Sequence, residues 1–336
     1  MKKMLTVALS LLCGIAVVRA EAGMSEGCGK SGRCGGPIAR FGVITDIHYT
    51  NKPDSESRKY SAALEKTKHF VKVMNRERAD FVIELGDFVD TLVDDKDPIV
   101  NLDEIESAYA RFRGPRYHVL GNHDFDNVAR ADFLGYIRNT GIPNGQTYYS
   151  FDARGIHCVV LDADYTVAEP HRPFDRQDPA NPFWQWQDAW VPQEQLDWLA
   201  EDLAASDLPT VVFTHQLLHR DNTEDHTIKN ADVVRGIFEQ DGQVVAVFSG
   251  HDHRGEIAVR NGIHYLVLEG NVGVSLDWNT VSPTDGLHPT KDSPFTFVEI
   301  TEARTPGFNG KKTYQVELKG NAQQYSFQDQ VQIVTP

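Results

Sequence analysis

Basic residues are scarce in this chain. Across 336 residues, 33 Lys and Arg stand against 48 Asp and Glu, a formal net charge of −15. So acidic a protein repels nucleic-acid polymers and anionic lipid surfaces, which excludes both as standing partners. Cysteine is scarce too: there are four, and Cys13 lies within the first twenty residues. Cys28 and Cys34, in SEGCGKSGRCGGP, are spaced to close a small disulfide loop in an oxidising compartment, with a metal knuckle lacking any nearby His as the weaker alternative. Cys158, inside IHCVVLDA, reads as a buried small hydrophobe. Beyond the N-terminus no apolar run approaches a membrane span, and no repeat period is visible. With 40% hydrophobic residues the composition carries no mark of wholesale disorder or of a fibre.

What is present begins with MKKMLTVALSLLCGIAVVRA at 1–20. Two lysines, a short apolar run and a small residue at the end are the layout of a signal peptide, cleaved after Ala20 or Ala22. Ser10 and Gly14 interrupt the run, which argues against a retained anchor. The expectation is a secreted or periplasmic protein without stable membrane association. Losing Lys2, Lys3 and Arg19 would take the net charge from −15 to −18. Residues 21–38 read as a flexible Gly/Ser-rich mature N-terminus, and 39–336 as one domain.

Five short strings then recur in order: TDIHY at 45–49, ELGDFVD at 84–90, LGNHDF at 120–125, FTHQ at 213–216 and SGHDH at 249–253. Each closes a short apolar run with Asp, Asn or His. Strands are expected near 40–45, 80–85, 116–120, 210–214 and 244–249, with helices near 58–78, 102–113, from Pro192, and 229–240. TYYSFDARGIHCVVLDAD reads as a hairpin turning at Arg154-Gly155. IHYLVLEG, FTFVEI and TYQVELKG read as an antiparallel run closing a second sheet. The order β-α-β-α-β predicts parallel pairing with right-handed crossovers. The fold class is therefore α/β, a four-layer α/β/β/α sandwich of two mixed β-sheets flanked by helices.

In open α/β sheets, ligands bind beyond the carboxyl ends of the strands, so residues that close consecutive strands converge. Asp46, His48, Asp87 and His253 would hold one metal ion; Asp87, Asn122, His215 and His251 would hold another, with Asp87 shared. Oxygen and imidazole donors suit Mn, Fe or Zn, divalent or trivalent. Two such ions a few ångströms apart neutralise phosphoryl oxygens, generate hydroxide between them and align it opposite the leaving oxygen. His123, one residue past Asn122, is placed to protonate that oxygen, and Asp124 to orient the imidazole as its hydrogen-bond partner.

These strings resemble those of calcineurin-like metallophosphoesterases: D-x-H, G-D-x-x-D, G-N-H-[DE], a strand-end His, and G-H-x-H, all in order over about 41–253. The resemblance implies a dinuclear metal-dependent phosphohydrolase with a four-layer sandwich, the same ligands, and the acid role of His123. FGVITDIHY, ELGDFVD and the length of the helical insert after the first string look most like the manganese-dependent ADP-ribose/CDP-alcohol diphosphatase branch and related exported phosphodiesterases. His48 stands where that branch often has Gln, and Leu217 where many relatives have Pro. The expected substrate is a small phosphodiester, nucleoside diphosphate derivative or phosphomonoester. The alternative is a non-catalytic metal- or phosphate-binding protein on the same scaffold.

Other residues carry weaker expectations. The Trp-rich stretch 184–198 is either a lid stacking on a nucleobase or a loop packed on the core. His219 is expected near the site without metal contact, Asp90 within loop hydrogen bonds, and His288 in a turn. His69 and His118 are expected packed or at the surface, and Arg254 is the nearest basic candidate for the substrate phosphate.

Overall fold

A computed structural model of the protein describes residues 36–180, 185–273, 294–302, 313–319 and 331–334. The expected signal peptide, almost all of the mature N-terminal segment, Cys28, Cys34, Trp184 and His288 lie outside the described residues.

Strands β1 (Ala39–Ile44), β2 (Phe81–Glu84) and β3 (Arg116–His118) pair in parallel, as the β-α-β-α-β order predicts. Helix α1 (Ala63–Glu77) makes the first crossover, preceded by a 3₁₀ turn at Tyr60–Ala62. Helix α2 (Pro98–Tyr109) makes the second and starts four residues before the expected position. Its start is set by Asp97, whose carboxylate caps the Ile99 amide at 2.9 Å, and by Pro98 in the first turn. The expected tail at 110–113 is non-helical because Asn75 holds the Arg111 carbonyl and the Arg113 amide at 3.0 and 2.9 Å. A short helix α3 (Arg130–Tyr136) follows.

The second sheet holds β4 (Tyr149–Ala153), β5 (Ile156–Val160), β6 (Thr210–Phe213), β7 (Val244–Ser249), β8 (Arg254–Arg260) and β9 (Ile263–Glu269), in the order β4-β5-β6-β7-β9-β8. Helices α4 (Gln193–Ala204) and α5 (Ala231–Asp241) cover its outer face. Two expectations need correction. β8 had not been anticipated, because its residues follow the last His-rich string directly and carry alternating charges. IHYLVLEG, as β9, runs parallel to β7 and antiparallel to β8. The other two C-terminal runs, β10 (Thr296–Glu302) and β11 (Thr313–Lys319), leave this sheet altogether. They join the first sheet through β10–β1 pairing, Ala39 facing Ile300, and β12 (Val331–Val334) extends its edge.

The two sheets pack face to face over an aromatic core. Phe41 stacks on Phe81 at 4.8 Å and meets Phe213 and Phe248 edge-on at 5.8 Å from the opposite sheet. Cys158 is a free, buried thiol in this layer, as expected. α1, α2 and α3 cover the outside of the first sheet. The result is the expected four-layer α/β/β/α sandwich. Among the described residues no helix is long and apolar enough to cross a membrane.

His118 ends β3 fully buried between two carboxylates, Glu84 at 2.9 Å and Glu106 at 3.1 Å. Burial opposes its protonation, but Glu106 and Glu84 override it and raise the imidazole to about 9. An imidazole more basic in the folded than in the unfolded chain contributes stability below the unfolded value of about 6.5 and loses it as pH rises through the folded one. Stability to urea is thus expected to fall between pH 7 and 9.5. His118→Phe should flatten that slope and cost about 3 kcal/mol at pH 7, because Glu84 is left buried without its partner.

Candidate metal centre

The strand ends build the site through their backbone. After β1 and β2 the chain does not simply turn away: the two following loops run side by side, with Asp46 N donating to Gly86 O at 3.1 Å, His48 N to Asp87 O at 2.8 Å and Tyr49 N to Phe88 O at 3.0 Å. This pairing holds Asp46, His48 and Asp87 in the left-handed region, at φ 51°, 49° and 55°. His251, after β7, is there as well at 66°. Such backbone costs about 1 kcal/mol or more per non-glycine residue, and here it turns side chains from the strand direction into the crevice. Gly86 and Gly121 lie back to back. A Cβ on Gly121 would fall 2.1 Å from the Asp87 amide nitrogen, so only glycine lets the two loops approach.

The residues expected as ligands come together in two groups. His253 Nε2 lies 3.1 Å from Asp46 Oδ1 and 3.2 Å from His48 Nε2. His215 Nε2 lies 3.2 Å from Asp87 Oδ2 and 3.1 Å from His251 Nδ1. Within each group the donor atoms lie within 4.8 Å of one another. Asp87 Oδ2 is also 3.5 Å from His48 Nε2, so this carboxylate faces both groups. Asn122 lines the same cleft, and its buried Oδ1 has no hydrogen-bond partner, nor does His251 Nε2.

This donor set fits cations. His215 Nδ1 is committed to the Leu85 carbonyl at 2.7 Å and His48 Nδ1 to Asp90 Oδ2 at 3.1 Å. Each therefore turns an Nε2 lone pair toward carboxylate oxygens and another imidazole. Acceptors facing acceptors repel unless a positive charge lies between them. Without a metal the pocket recruits protons instead. Burial opposes it, but Asp87 and Asp46 push His215 up to about 10. Asp46 resists burial, and His253 holds its carboxyl well below the usual range. His48, where burial prevails, falls to about 4. Protons and metal compete for these nitrogens, so metal affinity weakens as pH falls.

His123 lies beside this cluster on a 3₁₀ turn, Asn122–Phe125, with its amide donating to Asp87 Oδ1 at 2.8 Å. Its Nδ1 reaches Asp126 Oδ2 at 2.8 Å and Asp90 Oδ1 at 3.3 Å. Against burial, Asp87, Asp126 and Asp90 hold its pKa well above the ordinary value. The expected partner, Asp124, does not touch the ring. Its Oδ1 accepts the Phe88 and Val89 amides at 2.8 and 3.2 Å, and its Oδ2 the Gly121 amide at 2.8 Å. Asp124 therefore shapes the loop that presents Asp87, and Asp126 takes the place assigned to it. Asp126 is itself held by the Thr91 hydroxyl at 2.6 Å and by Arg176 at 3.1 Å.

Arg254 is not the basic group of the site. It pairs with Asp252 at 2.7 Å and its side chain is 74% exposed. Arg58, which no local pattern marks, lines the cleft instead. His219 faces Glu256 on β8 at 3.1 Å and does not line the cleft. Asp90 does more than the loop bonding expected of it, since it joins His48, His123 and, at 2.7 Å, Lys52. Of the described tryptophans in the Trp-rich stretch, Trp186 lines the cleft, whereas Trp190 stacks on His171 and Trp198 leans on Tyr148.

A two-sheet sandwich with Asp, Asn and His gathered at its strand ends defines a metal-dependent phosphohydrolase. The chain belongs to the calcineurin-like phosphoesterase family, whose model matches residues 39–255. It is 25% identical over 269 residues to the manganese-dependent ADP-ribose/CDP-alcohol diphosphatase of Arabidopsis thaliana, covering 69% of this chain and 86% of that protein. The enzyme of the same name from Oryza sativa subsp. japonica is 26% identical, covering 69% and 83%. The crystal structure of a dimetal phosphatase from Danio rerio superposes with a TM-score of 0.65 at 19% identity, over 89% of this chain and all of that one, which shows the shared fold. Divalent metal ions are accordingly its cofactors.

Proposed function

We propose that the protein hydrolyses small phosphodiesters, phosphomonoesters or nucleoside diphosphate derivatives, the last above all, with two metal ions held at the strand ends. The placement of Asp87 carries this reading: one carboxylate oxygen stands 3.2 Å from His215 Nε2 and 3.5 Å from His48 Nε2, between two donor groups. Asp46, His48, Asp87 and His253 hold one ion; Asp87, Asn122, His215 and His251 hold the other. Manganese, iron and zinc all suit this nitrogen and oxygen set. When bound, such ions supply Lewis acidity, neutralising phosphoryl oxygens and acidifying water. His123 supplies the proton for the leaving oxygen. Its Nδ1 is held by Asp126 and Asp90, which leaves Nε2 for the substrate. The names of the plant relatives support the substrate class. No Ser or Cys nucleophile takes part.

The test is turnover of bis-p-nitrophenyl phosphate and of ADP-ribose after exhaustive chelation and after adding back manganese, iron or zinc. Turnover is expected to vanish with chelation and return with at least one metal. A protein inert with every metal on every phosphoester would end the reading. Export through a cleaved leader belongs to the same proposal. N-terminal sequencing of protein from the native host should then begin at Glu21 or Gly23.

A further inference from the structure

The cleft has a volume of about 300 Å³ and two unlike sets of lining residues, one beside the His48 group through Asp90 and one beside the His215 group through His251. The first is Arg58, the only Lys or Arg among the described residues lining the cleft, with its guanidinium 3.9 Å from the Asp90 carboxylate that also holds His48 and His123. The second is a cluster of rings. Trp186 lies 4.8 Å from His226 and 5.8 Å from His251, and His226 lies 4.9 Å from His251, centroid to centroid. Trp186 also packs against the helical core layer over the first sheet. Among the described residues, no hydrogen bond occupies the Trp186 indole N–H or the ring nitrogens of His226.

His226 is held there by the backbone. It has a left-handed φ of 66°, and its carbonyl accepts the Leu217 amide at 2.9 Å, while Ile228 N donates to Leu217 O at 3.0 Å. Leu217 lies two residues after His215, so the same segment that presents a strand-end histidine also fixes the ring cluster. The arrangement requires an amide hydrogen at 217, which proline lacks.

We propose that Trp186 and His226 form a stacking subsite for the base of a nucleoside diphosphate derivative, and that Arg58 receives the distal phosphate, so that the substrate crosses the cleft in one direction. This rests on the phosphohydrolase reading above and adds its polarity. The phosphorus next to the nucleoside then lies over Asp87 and Asn122. The oxygen of water bonds to that phosphorus and gives up one proton to solvent, which later restores the proton of His123. The bond from it to the bridging oxygen breaks, and the electron pair and a proton from His123 Nε2 go to the bridging oxygen. The products are a nucleoside monophosphate and a phosphomonoester, and one solvent oxygen enters the nucleoside monophosphate.

The test compares a nucleoside diphosphate derivative, a base-free dialkyl pyrophosphate and an aryl phosphodiester. In Trp186→Ala the KM for the nucleoside substrate should rise roughly ten-fold relative to that for the base-free one, the loss of one stacked base. Trp186→Phe should restore most of it. Leu217→Pro should show the same selectivity loss, and the Trp186 pair decides the matter should that variant fail to fold. Nucleoside monophosphate should quench intrinsic fluorescence of the metal-free wild type, and much less that of Trp186→Phe. In ¹⁸O water the label should appear in the nucleoside monophosphate. Equal losses on base-bearing and base-free substrates, or label in the distal phosphomonoester, would overturn the proposal. A selectivity loss confined to the aryl ester would likewise overturn the nucleoside assignment. Turnover without base selectivity refutes only this inference, whereas quenching without any turnover refutes only the phosphohydrolase reading.

Discussion

Asp87→Ala is expected to lower kcat/KM by about 10³-fold or more, a loss of about 4 kcal/mol of transition-state stabilisation. Metal analysis of the same protein should show loss of both ions rather than one, because Asp87 Oδ2 faces the His48 and the His215 groups alike. The carboxylate has a further task. Its Oδ1 accepts the His123 amide, so its removal also frees the turn that carries His123. An Asp87→Ala protein that retains two ions and most of its turnover would contradict the shared-ligand assignment outright.

His123→Ala should leave metal content intact and separate substrates by their leaving group. For alkyl or sugar phosphate leaving groups, which need a proton as they depart, the loss should be about 10²- to 10⁴-fold in kcat. For p-nitrophenolate, which departs well unprotonated, it should be far smaller. Equal losses on both would mean that His123 binds substrate or shapes the site without donating a proton. Asp126→Asn offers a milder version of the same experiment, since Asp126 holds His123 Nδ1 at 2.8 Å.

The strand-end strings were legible because the position of a residue at the carboxyl end of a strand is enough to predict convergence, whichever strands lie between. The strand order and the side-chain contacts were not legible in the same way. Asp124 follows His123 directly, which makes it the natural partner on paper. On a 3₁₀ turn, however, residues three apart eclipse one another, so Asp126 meets the imidazole and Asp124 turns back under the Gly121 amide. Arg58 was missed because nothing around it marks it; only the packing of the segment before α1 brings it to the cleft. Arg254 stands next to His253 in sequence, but Asp252 two residues away claims its charge. The C-terminal strands were recognised as strands, yet a hairpin pattern says nothing about which sheet it joins. That choice follows from the free edge of β1, which only a long-range partner completes.

That same edge has a consequence for how the protein is made. β1 is the first strand among the described residues, but its second neighbour is β10, near the opposite end of the chain. Pairings so distant in sequence form slowly. An apolar strand with one bare flank is meanwhile an invitation to aggregate. Until Thr296–Glu302 are in place the first sheet keeps an unpaired edge at β1, and a chain truncated before residue 296 lacks the strand that covers it.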